Sequence, residues 1–158
     1  MEEVHWLDDR EERAWRSFLH MHQRLTARMS HDLAATSDLS SADYMVLAEV
    51  TNQPERRMRV LDLARQIGWE KSRLSHHVNR MVERGLVTKE KCPEDRRAAY
   101  VAVSEKGLRE IAAAAPGHVA TVRRYFVDRL TVDQIDSLVE VAATVLDALD
   151  RAEPGLPD

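Results

Sequence analysis

The sequence of 158 residues is poor in the features on which several protein classes depend. Its single cysteine excludes a disulfide within the chain, which agrees with a reducing compartment. No stretch approaches the roughly 18 to 20 consecutive apolar residues of a membrane span, and the opening Met1-Glu2-Glu3-Val4-His5 does not resemble a signal peptide. We therefore expect a cytoplasmic protein that has no membrane partner.

The motifs of common enzyme sites are absent as well. The chain has no glycine-rich phosphate loop, no HExxH motif and no serine or cysteine nucleophile elbow. Its seven histidines leave a metal-responsive protein open, but one cysteine offers little thiolate ligation, and the neighbours His76 and His77 point to different sides of a helix. We expect no enzymatic activity, no cofactor and no metal site.

Charge is distributed unevenly along the chain. The net charge is −4, yet the segment from Arg56 to Arg109 holds 14 Lys and Arg against 7 Asp and Glu, while the rest holds 9 against 20. A basic segment inside an acidic chain is typical of nucleic-acid binding, because the acidic remainder keeps the other surfaces away from the phosphates.

Residues 59 to 107 have the pattern of a winged helix-turn-helix. Two helical segments meet at Gly68, and the second places Leu74, Val78 and Met81 on one side. Taken alone, its polar side also fits an ordinary solvated surface, but short hydroxyls, a histidine and arginines suit the major groove of DNA. The candidate contacts, with Asn79 beside them, are Ser72, Arg73, Ser75, His76 and Arg80.

The residues after this helix favour DNA binding. Residues 87 to 91 alternate as a half-buried strand does, and residues 100 to 103 are typical of its partner. The polar tip between them turns at Pro93 and carries Arg96 and Arg97. A hairpin of this kind can place guanidinium groups in a narrow minor groove, where negative potential is concentrated. Arg56, Arg57 and Arg59 are further candidates for phosphate contacts, with a solvated loop as the alternative.

Long helical patterns flank the predicted DNA-binding lobe. In the first, residues 7 to 33, the apolar stripe includes Trp15 and Phe18, together with His22, which we expect to be buried and hydrogen-bonded unless it serves as a ligand or proton sensor. After the wing, Ser104 should cap a helix that Pro116-Gly117 interrupts with a kink, and Thr131 should begin the last helix. These stripes exceed what one small lobe can cover, so we expect a homodimer.

The predicted fold class is therefore mainly α with a small β-hairpin wing: a winged helix-turn-helix with N- and C-terminal dimerisation helices. The predicted domains are an N-terminal dimerisation helix at 1–35, the DNA-binding lobe at 36–107 and C-terminal dimerisation helices with a tail at 108–158.

Five short motifs support a family resemblance: Leu63-Ala64, Ser72 to Ser75, Arg84-Gly85-Leu86-Val87, Asp95-Arg96-Arg97 and Ser104-Glu105-Lys106-Gly107. In their order and spacing, over roughly residues 12 to 150, the chain resembles the MarR (multiple antibiotic resistance regulator) family. The resemblance implies a homodimeric transcription factor in which Asp95 braces the wing, while Arg96 and Arg97 reach the DNA. Glu70 departs from the family pattern, which usually has a small capping residue such as serine at the start of the reading helix.

The resemblance also suggests a function and its regulation. A dimer of this kind would bind a pseudo-palindromic operator in double-stranded DNA and act as a repressor relieved by a small aromatic or anionic effector. Residues that could border the effector crevice are Trp15, His22, Tyr44 and Met45. The alternatives are a metal-responsive regulator, a redox-responsive one that uses Cys92, and a helical interaction module that does not bind DNA.

Overall fold

The structure, a computed structural model, describes residues 4–91 and 98–152. The chain divides after Val119 into two compact units. The elements in chain order are α1 (Asp9–Thr36), α2 (Ser41–Thr51), β1 (Arg57–Arg59), α3 (Val60–Ile67), α4 (Lys71–Glu83), β2 (Val87–Lys91), β3 (Ala99–Val103), α5 (Glu105–Tyr125), a 3-10 turn (Val127–Arg129) and α6 (Val132–Ala152).

Side-chain caps fix the starts of the first two helices. Asp8 accepts hydrogen bonds from the backbone of Arg10 and Glu11, which satisfies donors that have no partner inside α1. At the start of α2, Ser40 Oγ accepts from the Asp43 N–H at 3.1 Å, and Asp43 Oδ2 accepts from the Ser40 N–H at 2.9 Å. Helix α1 continues to Thr36, beyond residue 33, where the helical pattern of the sequence ends.

The sheet has three strands, in the order β1-β3-β2, instead of the two that the sequence predicted. Strand β3 pairs antiparallel with both neighbours, with Ala102 opposite Arg57 on one side and Thr88 on the other. The first strand is only three residues long, so it shows no alternation that could have revealed it.

The core lies between α2, α3, α4 and the sheet. Side chains that are at most 2% exposed come from each of these elements and from Leu86 just before β2: Val46, Leu47, Val50, Leu63, Leu74, Val78, Met81, Leu86, Val87 and Val101. Because Leu74, Val78 and Met81 all belong to α4, the inner face of that helix is fixed and its other face points away from the core.

The start of α5 is attached to the turn that follows α4. Ser104 Oγ lies 2.6 Å from the carbonyl oxygen of Gly85 and accepts from the N–H of Gly107 at 3.0 Å, and Lys106 Nζ donates to the carbonyl of Arg84 at 2.9 Å. A Cβ on Gly107 would lie 2.1 Å from the Leu86 carbonyl oxygen, so only glycine fits there. These contacts give a physical reason why the sequence motifs at 84–87 and 104–107 occur together.

The predicted interruption of the helix at Pro116-Gly117 is wrong, whereas the kink expected there stays a prediction. Helix α5 runs from Glu105 to Tyr125 with Pro116 inside it. Proline removes only one backbone donor, and the helix is long enough on both sides to continue past it. In the second unit, Thr131 and Gln134 exchange the predicted capping hydrogen bonds at the start of α6. Among the described residues, no helix is both long and apolar enough to cross a membrane.

Candidate DNA-binding surface

The turn between α3 and α4 sets the direction of α4. Gly68 ends α3 in the left-handed conformation, with φ 66°, and the N–H of Trp69 then donates to the Ala64 carbonyl at 2.9 Å. Glu70 precedes α4 with an extended backbone and makes no side-chain capping bond, in contrast to Ser40 at the start of α2. Glu70 therefore differs from the family pattern in structure as well as in sequence, because its side chain does not cap the helix.

The structure places the predicted major-groove residues together on the outer face of α4. Ser75 is half-buried, whereas Ser72, Arg73, His76, Asn79 and Arg80 are exposed. His77 is 7% exposed and lies on a different side of the helix from the exposed His76, as predicted. The face therefore combines hydroxyl, amide, imidazole and guanidinium groups on one helix, whose other side is packed in the core. That these groups contact DNA stays a prediction.

Trp69 contacts one buried residue and one exposed residue of α4. Its ring meets the ring of buried His77 edge-on, with centroids 5.5 Å apart, and the Arg73 guanidinium carbon lies 4.2 Å from the Trp69 ring centroid. Trp69 therefore has a packing role, which includes a cation–π contact with one of the candidate DNA-binding arginines.

A second contact, within α4, joins His77 and Arg80. Arg80 Nη2 lies 3.0 Å from His77 Nδ1. An arginine side chain can only donate, so Nδ1 is the acceptor and the proton of the neutral ring is on Nε2. Nε2 lies 3.1 Å from Asp43 Oδ1, in a geometry too poor for a good hydrogen bond, and neither of these two atoms has another partner in the described part of the chain. Burial lowers the pKa of His77; the charge of Asp43 opposes this shift and that of Arg80 adds to it.

Asp43 is a buried, charged residue of α2 that contacts α4. It is 1% exposed, and its Oδ2 accepts from Arg84 Nη1 at 2.7 Å. Burial by itself would raise the pKa of Asp43, but the hydrogen bonds from Arg84 and Ser40 and the charge of Arg84 outweigh it, so the pKa is lowered. Arg84 also donates to the Asp38 carbonyl at 2.9 Å, which ties the end of α4 to the start of α2.

The base of the wing is linked to α4 by Lys89, whose Nζ donates to Asn79 Oδ1 at 2.7 Å. The predicted wing residues Cys92, Asp95, Arg96 and Arg97 lie outside the described residues, so their roles stay predictions.

Of the three arginines before α3, Arg57 and Arg59 lie in strand β1, whereas Arg56 is exposed in the loop before it. Arg57 donates to Glu55 at 2.6 Å, and Arg59 donates to the Tyr100 hydroxyl at 3.3 Å. The guanidinium carbons of both lie within 6 Å of the Tyr100 ring centroid, at 5.1 and 5.8 Å. Their predicted phosphate contacts would have to compete with these existing ones.

Comparison with known proteins places this architecture in a family. A model described as "MarR family" matches residues 37–98. AbsC, a MarR family transcriptional regulator from Streptomyces coelicolor, is 36% identical, with 95% of this chain and 100% of AbsC covered and a TM-score of 0.86. The chain belongs to the MarR family. Sco3205, another MarR family regulator from that organism, whose structure was solved in complex with DNA, is 33% identical, with 94% of this chain and 93% of Sco3205 covered and a TM-score of 0.87.

A curated relative points the same way. The transcriptional regulator HosA of Escherichia coli O111:H- is 27% identical over 138 residues, which are 86% of this chain and 96% of HosA. The family resemblance and the fold class predicted from the sequence are confirmed. The relatives are transcriptional regulators, in agreement with the expectation that this MarR-family protein is not an enzyme.

Two of the predicted effector residues line a cavity of about 280 Å³ in this MarR-family protein. Tyr44 and Met45 of α2 form one wall, and Met29 and Leu33 of α1 form another. His118 of α5 also lines the cavity, and its ring centroid lies 4.3 Å from that of Tyr44. Burial raises the pKa of Tyr44 and lowers that of His118. His118 carries no local sequence signal, because its approach to Tyr44 depends on packing.

The other two predicted effector residues lie elsewhere on α1. Trp15 and His22 stack on opposite sides of Phe18, at centroid distances of 5.9 and 6.1 Å. His22 is exposed in the single chain, so the prediction that it is buried and hydrogen-bonded is wrong there, because none of the described residues covers the apolar stripe of α1 at that level. Over residues 4–91 and 98–152, no group of three or more His, Cys, Asp or Glu is placed to hold a metal ion.

Proposed function

We propose that this MarR-family protein is a cytoplasmic homodimer that binds a pseudo-palindromic DNA operator and represses transcription until a small aromatic or anionic ligand releases it. The observation that carries the proposal is the outer face of α4. Its exposed Arg73, His76 and Arg80 stand on a helix whose inner side is buried in the core. A rigid helix with donors on one face is suited to the major groove.

Electrostatics and the relatives support DNA as the partner. The segment that contains α3, α4 and the wing is basic within an acidic chain, so the phosphates would attract this part of the surface. Sco3205 was solved with DNA and shares the fold along most of both chains. In this proposal Ser72, Ser75 and the exposed residues of α4 contact bases or nearby phosphates, Arg96 and Arg97 reach the minor groove, and Asp95 braces the wing.

Exposed apolar side chains support a dimer. On α1 they include Trp15, Phe18 and Met21, and α6 has no buried residue although Val139, Val145 and Leu146 lie on it. Apolar surface of this extent is unfavourable in water, and a second copy of the chain would bury it. Residues 1–35 and 108–158 would then supply the dimer interface, and residues 36–107 the DNA-binding lobe. A two-fold axis would set the two α4 helices about 34 to 36 Å apart, which matches half-sites about 10 bp apart.

The cavity beside Tyr44 supports the ligand. Its lining combines apolar side chains with the polar residues Thr26, Ser30, Ser41 and Glu49, and with Tyr44 and His118. An apolar pocket with a few polar groups suits an aromatic ligand that carries a polar substituent. Arg56 lines a second cavity of about 500 Å³ that shares Tyr44 and Ala48 with the first, and its positive charge would suit an anion.

The test begins with the purified full chain. Sedimentation velocity should give a dimer, and fluorescence anisotropy should show tighter binding to a duplex from the DNA flanking the protein's own gene than to a shuffled duplex of equal length in moderate salt. A stable monomer, or equal affinity for the two duplexes, would contradict the proposal. Repression is tested by transcription from that promoter in vitro, with and without a panel of small aromatic acids.

A further inference from the structure

Two candidate DNA-binding arginines of α4 share one buried support. Arg80 donates directly to His77 Nδ1 at 3.0 Å. Arg73 lies over the Trp69 ring, and the Trp69 ring in turn meets His77 edge-on at 5.5 Å. Residues 73 and 80 are seven apart, about two helical turns, so both can face the same groove. His77 lies on the buried side of the helix and contacts Arg80 and Trp69.

His77 is itself held on its other side. It is 7% exposed, and its Nε2 faces the carboxylate of Asp43 at 3.1 Å. Asp43 is kept in place by Arg84 and by the backbone of Ser40. The imidazole therefore has one orientation, with Nε2 toward α2 and the Nδ1 lone pair toward Arg80.

We propose that His77 is a positioning residue for DNA recognition, which fixes the Arg80 guanidinium through its Nδ1 acceptor and supports Arg73 through Trp69. The inference depends on the proposed function, since it concerns how the DNA-binding face is organised. A free arginine side chain loses considerable rotamer freedom when it binds a base edge, and an arginine already held in place loses less. His77 thus contributes to affinity and base preference without touching DNA.

A pair of substitutions separates positioning from simple packing. His77→Asn keeps a side-chain oxygen near the position of Nδ1, where it can accept from Arg80, but it no longer reaches Asp43. His77→Gln keeps an amide near the position of Nε2, next to Asp43, and lacks an acceptor near Nδ1. Helix propensity favours Gln over Asn, so a purely structural role predicts that the Gln variant is the better of the two.

The experiment uses a duplex selected from a random library by the wild-type dimer, with binding measured by anisotropy on that duplex and on single-base variants. We expect His77→Gln to weaken binding roughly 3- to 10-fold, which is the range of one lost hydrogen bond, and to relax the same base position as Arg80→Ala. His77→Asn should retain more of the wild-type base preference. The double variant His77→Gln/Arg80→Ala should lose less affinity than the sum of the two single losses, because the contact between the two residues can be lost only once.

The outcomes are distinguishable. Wild-type protein that selects no sequence would overturn the proposed function and this inference with it. If the wild type selects a sequence but the Gln variant matches it, or if the Gln and Arg80→Ala effects simply add, only the positioning role is overturned. Circular dichroism and urea unfolding identify a variant that has not folded. In that event, the cycle of Trp69→Leu with Arg73→Ala decides in its place: independent effects overturn the inference and coupled effects support it.

Discussion

The guanidinium of Arg84, which ends α4, donates to the buried carboxylate of Asp43 at the start of α2 over 2.7 Å. Tyr44 and Met45, the next two residues after Asp43, line the cavity of about 280 Å³. One ion pair therefore joins the end of the candidate reading helix to the wall of the candidate ligand cavity. A ligand that moves the start of α2 would change the support of α4 through this contact.

The same ion pair gives a stability prediction. Arg84→Ala leaves the carboxylate of Asp43 buried without its main partner, and we expect the free energy of unfolding to fall by about 1 to 3 kcal/mol. Water can reach the Arg84 side of the pair, whose side chain is 43% exposed, so the loss should stay below that of a fully buried pair. Urea unfolding measures it. As a control, Arg123→Ala removes an exposed pair with Asp128 and should change stability by less than about 1 kcal/mol. Equal effects of the two substitutions would contradict the special role of Asp43.

Gly107 and Gly117 both lie in α5 but differ in the space around them, so their alanine variants can be compared. Gly107→Ala would place a Cβ 2.1 Å from the Leu86 carbonyl oxygen, so we expect a loss of about 1 to 3 kcal/mol or more from the forced shift of backbone. A Cβ at Gly117 would meet only Thr36 Oγ1 at 3.7 Å, an ordinary contact. Gly117→Ala should therefore stabilise the helix by roughly 0.5 to 1 kcal/mol. Thermal unfolding of both variants at one protein concentration tests the difference, and a tolerated alanine at 107 would refute the close approach.

Stability should decrease in mild acid. Burial lowers the pKa of His77 and of His118 below the ordinary value of 6.5, so the unfolded chain binds more protons than the native chain just below that pH. The free energy of unfolding then falls as the pH drops from about 7 through 6.5 towards the native pKa values, by at most about 1.4 kcal/mol per pH unit for each histidine. Below pH 3.8, Asp43 loses its own contribution as it is protonated.

Urea unfolding at fixed protein concentration between pH 7.5 and 5 measures this dependence. The variants His77→Gln and His118→Gln should each flatten the curve, because each removes one of the two titrating groups. A curve with the same slope in wild type and both variants would show that other groups are responsible.

Local patterns were sufficient to predict the faces of α4. Leu74, Val78 and Met81 recur with helical spacing, so the burial of one side and the exposure of Arg73 and His76 on the other follow from the sequence. The cap of α2 by Ser40 was predictable for the same reason, since both partners lie within one turn. Periodicity and capping are properties of neighbouring residues.

Contacts between distant residues could not be predicted in this way. Arg84 and Asp43 are 41 residues apart, and nothing local to either one indicates the other. The approach of His118 to Tyr44 and the pairing of β1 with β3 also depend on how helices and strands pack. The exposed position of His22 was missed for a related reason: an apolar stripe predicts burial but does not say whether the same chain provides the cover.

Measurements of DNA affinity should distinguish the role of the wing arginines from that of the α4 arginines. Arg97→Ala should weaken binding to every duplex and reduce the slope of log affinity against log salt by about 1, as expected when one cationic side chain no longer displaces counterions from the DNA. Arg73→Ala should also change the preference among single-base variants of the operator, by about 1 to 3 kcal/mol at one position. Anisotropy titrations from 50 to 300 mM salt test both. An unchanged salt slope for Arg97→Ala would reject its phosphate contact, and a uniform loss for Arg73→Ala would assign it to the backbone.

The cavity beside Tyr44 predicts which side chains a ligand should contact. A small aromatic acid that binds there should raise the melting temperature of the wild-type dimer, since a ligand specific to the native state adds RT ln(1 + [L]/Kd) to its stability. Met45→Trp should fill the cavity and abolish this shift while leaving a folded protein. Trp15→Phe, on α1 away from the cavity, should leave the shift intact. If the cavity is regulatory, an acid that binds there should also weaken operator binding, through the contacts that link Tyr44 to Arg84. If operator affinity is unchanged by a saturating acid that Met45→Trp no longer binds, the cavity is a binding site but not a regulatory one.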